Sequence, residues 1–125
     1  MKVASLRGVE PFTTKDGSTI RELHHTSEQS LAEASLEPDQ ETERHYHART
    51  EEIYFVLEGA GELEIDGDRR VVRAGDAALI APGARHRIRA LEPLRFLCCC
   101  APPYSHEDTY FDDRRASNDP GPSPR

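Results

Sequence analysis

The turn punctuation of this chain constrains its fold more than any other feature. Gly59 and Gly61, Asp66-Gly67, Ala74-Gly75-Asp76 and Pro82-Gly83 break the middle of the chain into short runs. Asp-Gly favours a tight hairpin, because both positions tolerate positive φ. The runs between are shorter than an ordinary helix and are rich in apolar or alternating residues. Thr19 to Leu23 alternates with period two, and Ile53-Tyr54-Phe55-Val56-Leu57 is β-branched and aromatic. Leu63 and Ile65 alternate with acidic residues, and Arg69 to Arg73 returns after the Asp66-Gly67 turn. Ala77 to Ala81, His86 to Ala90 and Leu94 to Ala101 supply further strands. Ser30 to Glu37 contains Leu, Ala and Glu, which also favour helix. Its neighbours and Pro38 assign it to strand. Turn signals at about ten-residue intervals with no long helical pattern predict an all-β sandwich or barrel.

With 125 residues there is room for one domain. Residues 1–15 read as a loosely attached arm able to add an edge strand. Residues 16–113 form the barrel domain, and 114–125 read as a disordered tail. Three of the nine prolines fall within 117–125. Lys and Arg total 16 against 23 Asp and Glu, giving −7. That balance argues against a nucleic-acid partner and a polybasic membrane role. No run approaches the roughly 18 apolar residues of a membrane span. The three cysteines, Cys98, Cys99 and Cys100, are adjacent. Adjacent cysteines make poor disulfide partners, so they point to a reducing, cytoplasmic setting. They read as small buried hydrophobes, or one of them lines a site.

Six histidines in so short a chain are the compositional oddity. His45 and His47, at i and i+2, share one face of a strand. A turn follows, and a carboxylate opening the next strand, Glu51 or Glu52, comes to lie beside them. Pro82-Gly83-Ala84-Arg85-His86 brings in a third imidazole from another turn. Three imidazoles and a carboxylate suit a borderline divalent ion such as Mn, Fe, Zn, Ni, Co or Cu.

These two glycine-punctuated segments resemble the paired motifs of the cupin superfamily. The first motif, G(X)5HXH(X)3–4E(X)6G, is matched by His45, His47, Glu52 and Gly59. The second, G(X)5PXG(X)2H(X)3N, is matched by Gly75, Gly83 and His86. The match spans about residues 30 to 101. Asp39 stands for the leading Gly, Ala81 for the first Pro and Ala90 for the final Asn; none is a ligand in the family pattern. Glu52 rather than Glu51 keeps the six-residue distance to Gly59. The resemblance implies a double-stranded β-helix, a cupin jelly-roll barrel. It also implies one metal ion held by His45, His47, Glu52 and His86, and a small-molecule ligand. The segment from Cys98 to Asp108 is similar to the end of small single-domain cupins. Family members with this ligand set include oxygenases, isomerases, lyases and non-catalytic binders, and fold does not choose among them. The expectation is a metalloenzyme acting on a polar or carboxylate-bearing metabolite, with a non-catalytic binding module as the alternative.

Strand parity extends the reading. If Glu52 faces inward, so do Tyr54 and Val56, and Tyr54 becomes the candidate for proton transfer, with a core tyrosine whose hydroxyl sits at the mouth as the alternative. Ile53, Phe55 and Leu57 then face outward, which predicts a homodimer. With His86 inward, Ile88 and Ala90 follow, and Arg87 and Arg89 face out. Cys98 and Cys100 share a face opposite to Cys99, with neither face assigned to the interior. Arg49 and Arg85 read as solvated surface residues, with anion binding as the alternative. Tyr104 and His106 read as part of a connector, with a lid as the alternative. His24 and His25 read as ordinary strand-end residues.

Overall fold

The computed structural model describes residues 1–111; the expected tail at 114–125 lies outside the described residues. Strands β1 (Phe12–Thr13), β2 (Thr19–His25), β3 (Ser30–Leu36), β4 (His45–His47) and β5 (Glu51–Glu58) come first. They are followed by β6 (Ala60–Ile65), β7 (Asp68–Arg73), β8 (Ala77–Ile80), β9 (His86–Ala90), β10 (Leu94–Ala101) and β11 (Thr109–Phe111). Single 3-10 turns stand at Leu6–Gly8 and His106–Asp108. No helix among the described residues is long and apolar enough to cross a membrane.

The strands form two antiparallel sheets, ordered β1-β2-β3-β10-β5-β8 and β11-β4-β9-β6-β7. From β3 onward the chain repeatedly crosses from one sheet to the other, winding the double-stranded β-helix that the motifs imply. The Asp66-Gly67 turn joins β6 to β7, with φ of 48° and 89°, the left-handed pair that a two-residue hairpin needs. Gly59 is constrained twice. Its φ is +87°, and a Cβ there would lie 2.0 Å from the Pro93 carbonyl oxygen.

Alternation explains the core. Tyr54, Val56, Ile88, Ala90, Leu94 and Phe96 point between the sheets and are almost wholly buried. They meet Ile20, Ala34, Leu36, Leu63 and Ile80 in one cluster. Burying each large apolar side chain there contributes about 1.5–3 kcal/mol. Ile53 and Phe55 face outward, 41% and 38% exposed. Between β11 and β6, β4 meets β9 at a single pair, His45 opposite His86. That pair brings the two motifs together.

Two pairings come from the ends of the described chain, the first being the edge strand that the arm was expected to be able to add. Phe12–Thr13 pairs with Thr19 and Ile20, so residues from the arm extend the six-stranded sheet. After the Tyr104–His106 stretch read as a connector or lid, the chain re-enters the other sheet as β11, with Thr109 opposite His47 and Phe111 opposite His45. Both strands are too short to carry a periodicity of their own.

Candidate metal centre

His45, His47 and His86 are each at most 5% exposed, and their ligand atoms all lie within 4.8 Å of one another. The backbone sets their tautomers. His45 Nδ1 donates to the Glu43 carbonyl at 2.7 Å, and His86 Nδ1 to the Ala84 carbonyl at 2.9 Å. His47 Nδ1 lies 3.2 Å from the Asp108 carbonyl. A carbonyl can only accept, so the proton of each neutral ring sits on Nδ1. Each Nε2 is left with a bare lone pair, the arrangement in which imidazole binds metals.

Glu52 completes the group. It is 4% exposed, and its Oε1 lies 3.4 Å from Nε2 of both His47 and His86. Glu52 Oε1 and His86 Nε2 are both buried without a hydrogen-bond partner. Acceptors that converge with no proton between them call for a cation. Their 3.4 Å spacing is too long for a strong hydrogen bond. It matches the edge of a coordination shell with bonds of about 2.1 Å. The donors therefore fit a single metal ion. Electrostatics agree for His45 and Glu52, while His47 leans toward its charged form as long as the Glu52 carboxylate is its partner. Burial, helped by His86, drives the His45 pKa down to about 4. Burial also opposes charge on His47, but the Glu52 carboxylate outweighs it and raises that pKa. Burial would raise Glu52, yet His47 and His86 hold it well below the usual carboxylate range.

His45, His47 and Glu52 line a cavity of about 40 Å³, space for a few waters. Tyr54 lines it, packed against Phe96 with ring centroids 4.6 Å apart and 6.0 Å from the His86 ring. Burial and the Glu52 charge push its pKa well up, so its hydroxyl keeps its proton. Cys98 and Cys100 line the cavity, and Cys99 faces the opposite side. The register decides this, because Cys100 lies opposite Glu52 and Cys98 opposite Tyr54. Cys100 Sγ donates to Glu52 Oε2 at 3.5 Å. Burial, then the Glu52 charge, raises both cavity thiols, which stay protonated.

Other candidates fall elsewhere. Glu51 is exposed. Arg49 is 72% exposed beside Asp108, and Arg85 stacks 3.6 Å from the centre of the Tyr46 ring. Neither arginine lines the cavity. Tyr104 does, edge-on to His47 at 6.1 Å, and His106 is exposed. His24 and His25 end β2 in solvent.

Two aspartates in the site have no counterpart among the sequence candidates. Asp108 accepts from the amides of Ala48 and Arg49, each at 3.1 Å, clamping the turn after His47. Asp16 places Oδ2 3.5 Å from His45 Nε2. The Asp16-Gly17 pair signals a turn, but only sheet closure brings it to the histidines.

Among curated relatives, an uncharacterized protein, MJ1618, of Methanocaldococcus jannaschii is 45% identical over 108 residues, covering 81% of this chain and 86% of that protein. The solved structure of KdgF from Halomonas superposes with a TM-score of 0.76 at 22% identity, over 83% of this chain and 96% of that one. Pac13 of Streptomyces, described as a nucleoside dehydratase, superposes with a TM-score of 0.73 at 17% identity, over 86% and 88% of the two chains. At those identities the two structures speak to fold alone. The Cupin domain family model matches residues 32–100, a stretch that holds both histidine segments and runs from within β3 to within β10, so this chain belongs to the cupin family.

Proposed function

We propose that the protein is a mononuclear metalloenzyme acting on a small polar metabolite, with His45, His47, Glu52 and His86 as ligands to one divalent transition-metal ion. The observation that carries this reading is the set of three backbone-fixed tautomers aiming bare Nε2 atoms at one point beside an unpaired Glu52 oxygen. When bound, such an ion supplies Lewis acidity toward a substrate oxygen, or dioxygen chemistry if it is iron. The chain's own residues do the rest. Tyr54 presents a protonated hydroxyl to the cavity and is the candidate donor to a leaving or developing oxygen. Its raised pKa favours donation over abstraction. Cys100 steadies Glu52, and the apolar side of the cavity limits water. Fold neighbours that include an enzyme described as a nucleoside dehydratase support a catalytic role for a barrel of this kind. The outward-facing Ile53 and Phe55 are covered by a second copy of the chain, giving a homodimer. Three free cysteines suit a reducing, cytoplasmic setting.

Metal analysis of protein purified without a polyhistidine tag tests the core of this reading. About one equivalent of a transition metal per chain is expected, with His86→Ala losing most of it. Unchanged occupancy in His86→Ala sinks the ligand assignment. A loaded protein that turns over no substrate in a broad panel, with oxygen uptake followed, returns the reading to a binding module.

A further inference from the structure

We infer that the cavity is shaped for a ligand with one oxygen-bearing head and one short uncharged tail, a small aliphatic monocarboxylate rather than a diacid. The inference rests on the metal reading above, which places the head at His45, His47 and Glu52, and it deepens that reading by naming the substrate class.

Strand register arranges the cavity wall in layers. On the inner face of the six-stranded sheet, side chains recur every second residue, each layer about 7 Å along the strands from the last. Glu52 of β5 stands opposite Cys100 of β10, and Cys100 stands opposite Ser30 of β3. That layer is polar, and Glu52 Oε1 is buried in it without a hydrogen-bond partner. The next layer holds Tyr54, Cys98 and Ala32. The one beyond it holds Phe96, Ala34 and Ile20. All of these line the cavity, so its wall turns from polar to apolar with distance from the histidines. Ala32 and Ala34 keep the space open, because larger side chains at these places on β3 would fill it.

Charge is confined to the metal end. Asp16 and Glu52 lie beside the histidines, and Glu22 meets His25 Nδ1 at 2.9 Å at the surface. No lysine or arginine is among the described residues that line the cavity. The ion of the proposed function is the cation that receives an anionic head. A second carboxylate at the far end would be buried against Ala34, Ile20 and Phe96 with no cation to meet it. An uncharged tail meets no such cost. Phe12 of β1 stands opposite Ile20, lines the same layer and is 45% exposed, an aromatic face for a tail to cover. A volume of about 40 Å³ gives about three water-sized positions, the room of a tail of about three carbons.

Butanoate and succinate are matched probes, differing by a terminal methyl against a carboxylate, and acetate carries the head with almost no tail. In ligand-observed NMR titration of the protein as purified, butanoate should bind about tenfold more tightly than acetate, given about fourfold per buried methylene. It should also bind about tenfold more tightly than succinate, whose second charge has no partner. Hexanoate should gain nothing over butanoate. Ala32→Val fills the middle layer and should lower the butanoate-to-acetate ratio about threefold while acetate stays within about twofold. A general folding defect would weaken both acids together. If Ala32→Val does not fold, Ala34→Val is read by the same ratio. 1-Butanol against ethanol repeats the tail comparison with a neutral head that does not need the ion. Acetate or succinate as tight as butanoate, a gain that continues to hexanoate, an unchanged ratio in the variant, or no binding of any probe would each overturn the inference. Metal content of the same preparation tests the earlier reading separately. An ion-free protein that still prefers 1-butanol to ethanol keeps the tail assignment and removes the metal, and a loaded protein with no preference does the reverse.

Discussion

Glu52 is held by very little apart from its imidazole neighbours, and that makes Cys100 more than core filler. The thiol donates to Oε2 while Oε1 stays unpaired. Groups that orient a metal-binding carboxylate typically change affinity by about 10–100-fold when removed. Cys100→Ala is therefore expected to keep the fold and to release metal to a competing chelator at about tenfold lower chelator concentration. Cys99→Ala, on the outward face of the same strand, is the control and should leave the chelator midpoint where it is. Equal midpoints for wild type and Cys100→Ala would show that Glu52 is positioned by the barrel without the thiol.

At the scale of elements, Glu64 binds neighbouring strands together. It sits on β6, is 7% exposed, and pairs with Arg87 of β9 at 2.8 Å and with Arg44 just before β4. Burial alone would raise its carboxyl, but Arg87 and Arg44 outweigh it and hold the pKa below the ordinary value. The sign follows. A carboxylate with a depressed folded pKa adds stability above its unfolded pKa of about 4.3. That stability is lost as pH falls through the lower folded value. Glu64→Gln should cost about 1–3 kcal/mol at pH 7 in urea unfolding. The gap to wild type should shrink as the pH is lowered below 4.3. A gap that stays constant with pH would mean that packing, not charge, carries the effect. The same strand shows what sequence patterns can and cannot supply. Simple alternation puts Leu63 inward and Glu64 in solvent, and only the arginines arriving from Arg44 and β9 bury the glutamate. His45, His47, Glu52 and His86 were legible because spacing along two strands and two turns sets their faces. Asp16, Asp108 and the inward face of Cys98 and Cys100 were not, because each depends on which distant strand pairs with which. The register opposite Glu52 and Tyr54, and the short strands β1 and β11, decide those positions.

For the molecule as a whole, the six-stranded sheet turns one face to the cavity and the other outward. Across β3, β10, β5 and β8, the residues Leu31, Cys99, Ile53 and Leu79 stand in one row on that outer face. Leu97, Phe55 and Ala77 stand in the next, which ends on β3 at Glu33, paired with Arg95. Leu79 is 62% exposed and Ile53 41%. Single exposed apolar residues are ordinary, but an apolar row across four strands beside a second across three is the pattern expected of an interface. A second copy of the same sheet matches the patch in shape and chemistry, since a two-fold contact uses one surface twice. The expected outcome in size-exclusion chromatography with light scattering is twice the chain mass. Phe55→Glu puts a charge in the middle of the patch and should yield a monomer at micromolar concentration. Because Phe55 points away from the cavity while Tyr54 points into it, the monomer should retain its metal. A wild type that elutes as a monomer removes the dimer. A Phe55→Glu dimer moves the contact elsewhere. A monomer that loses its metal would show that the dimer supports the site across the sheet.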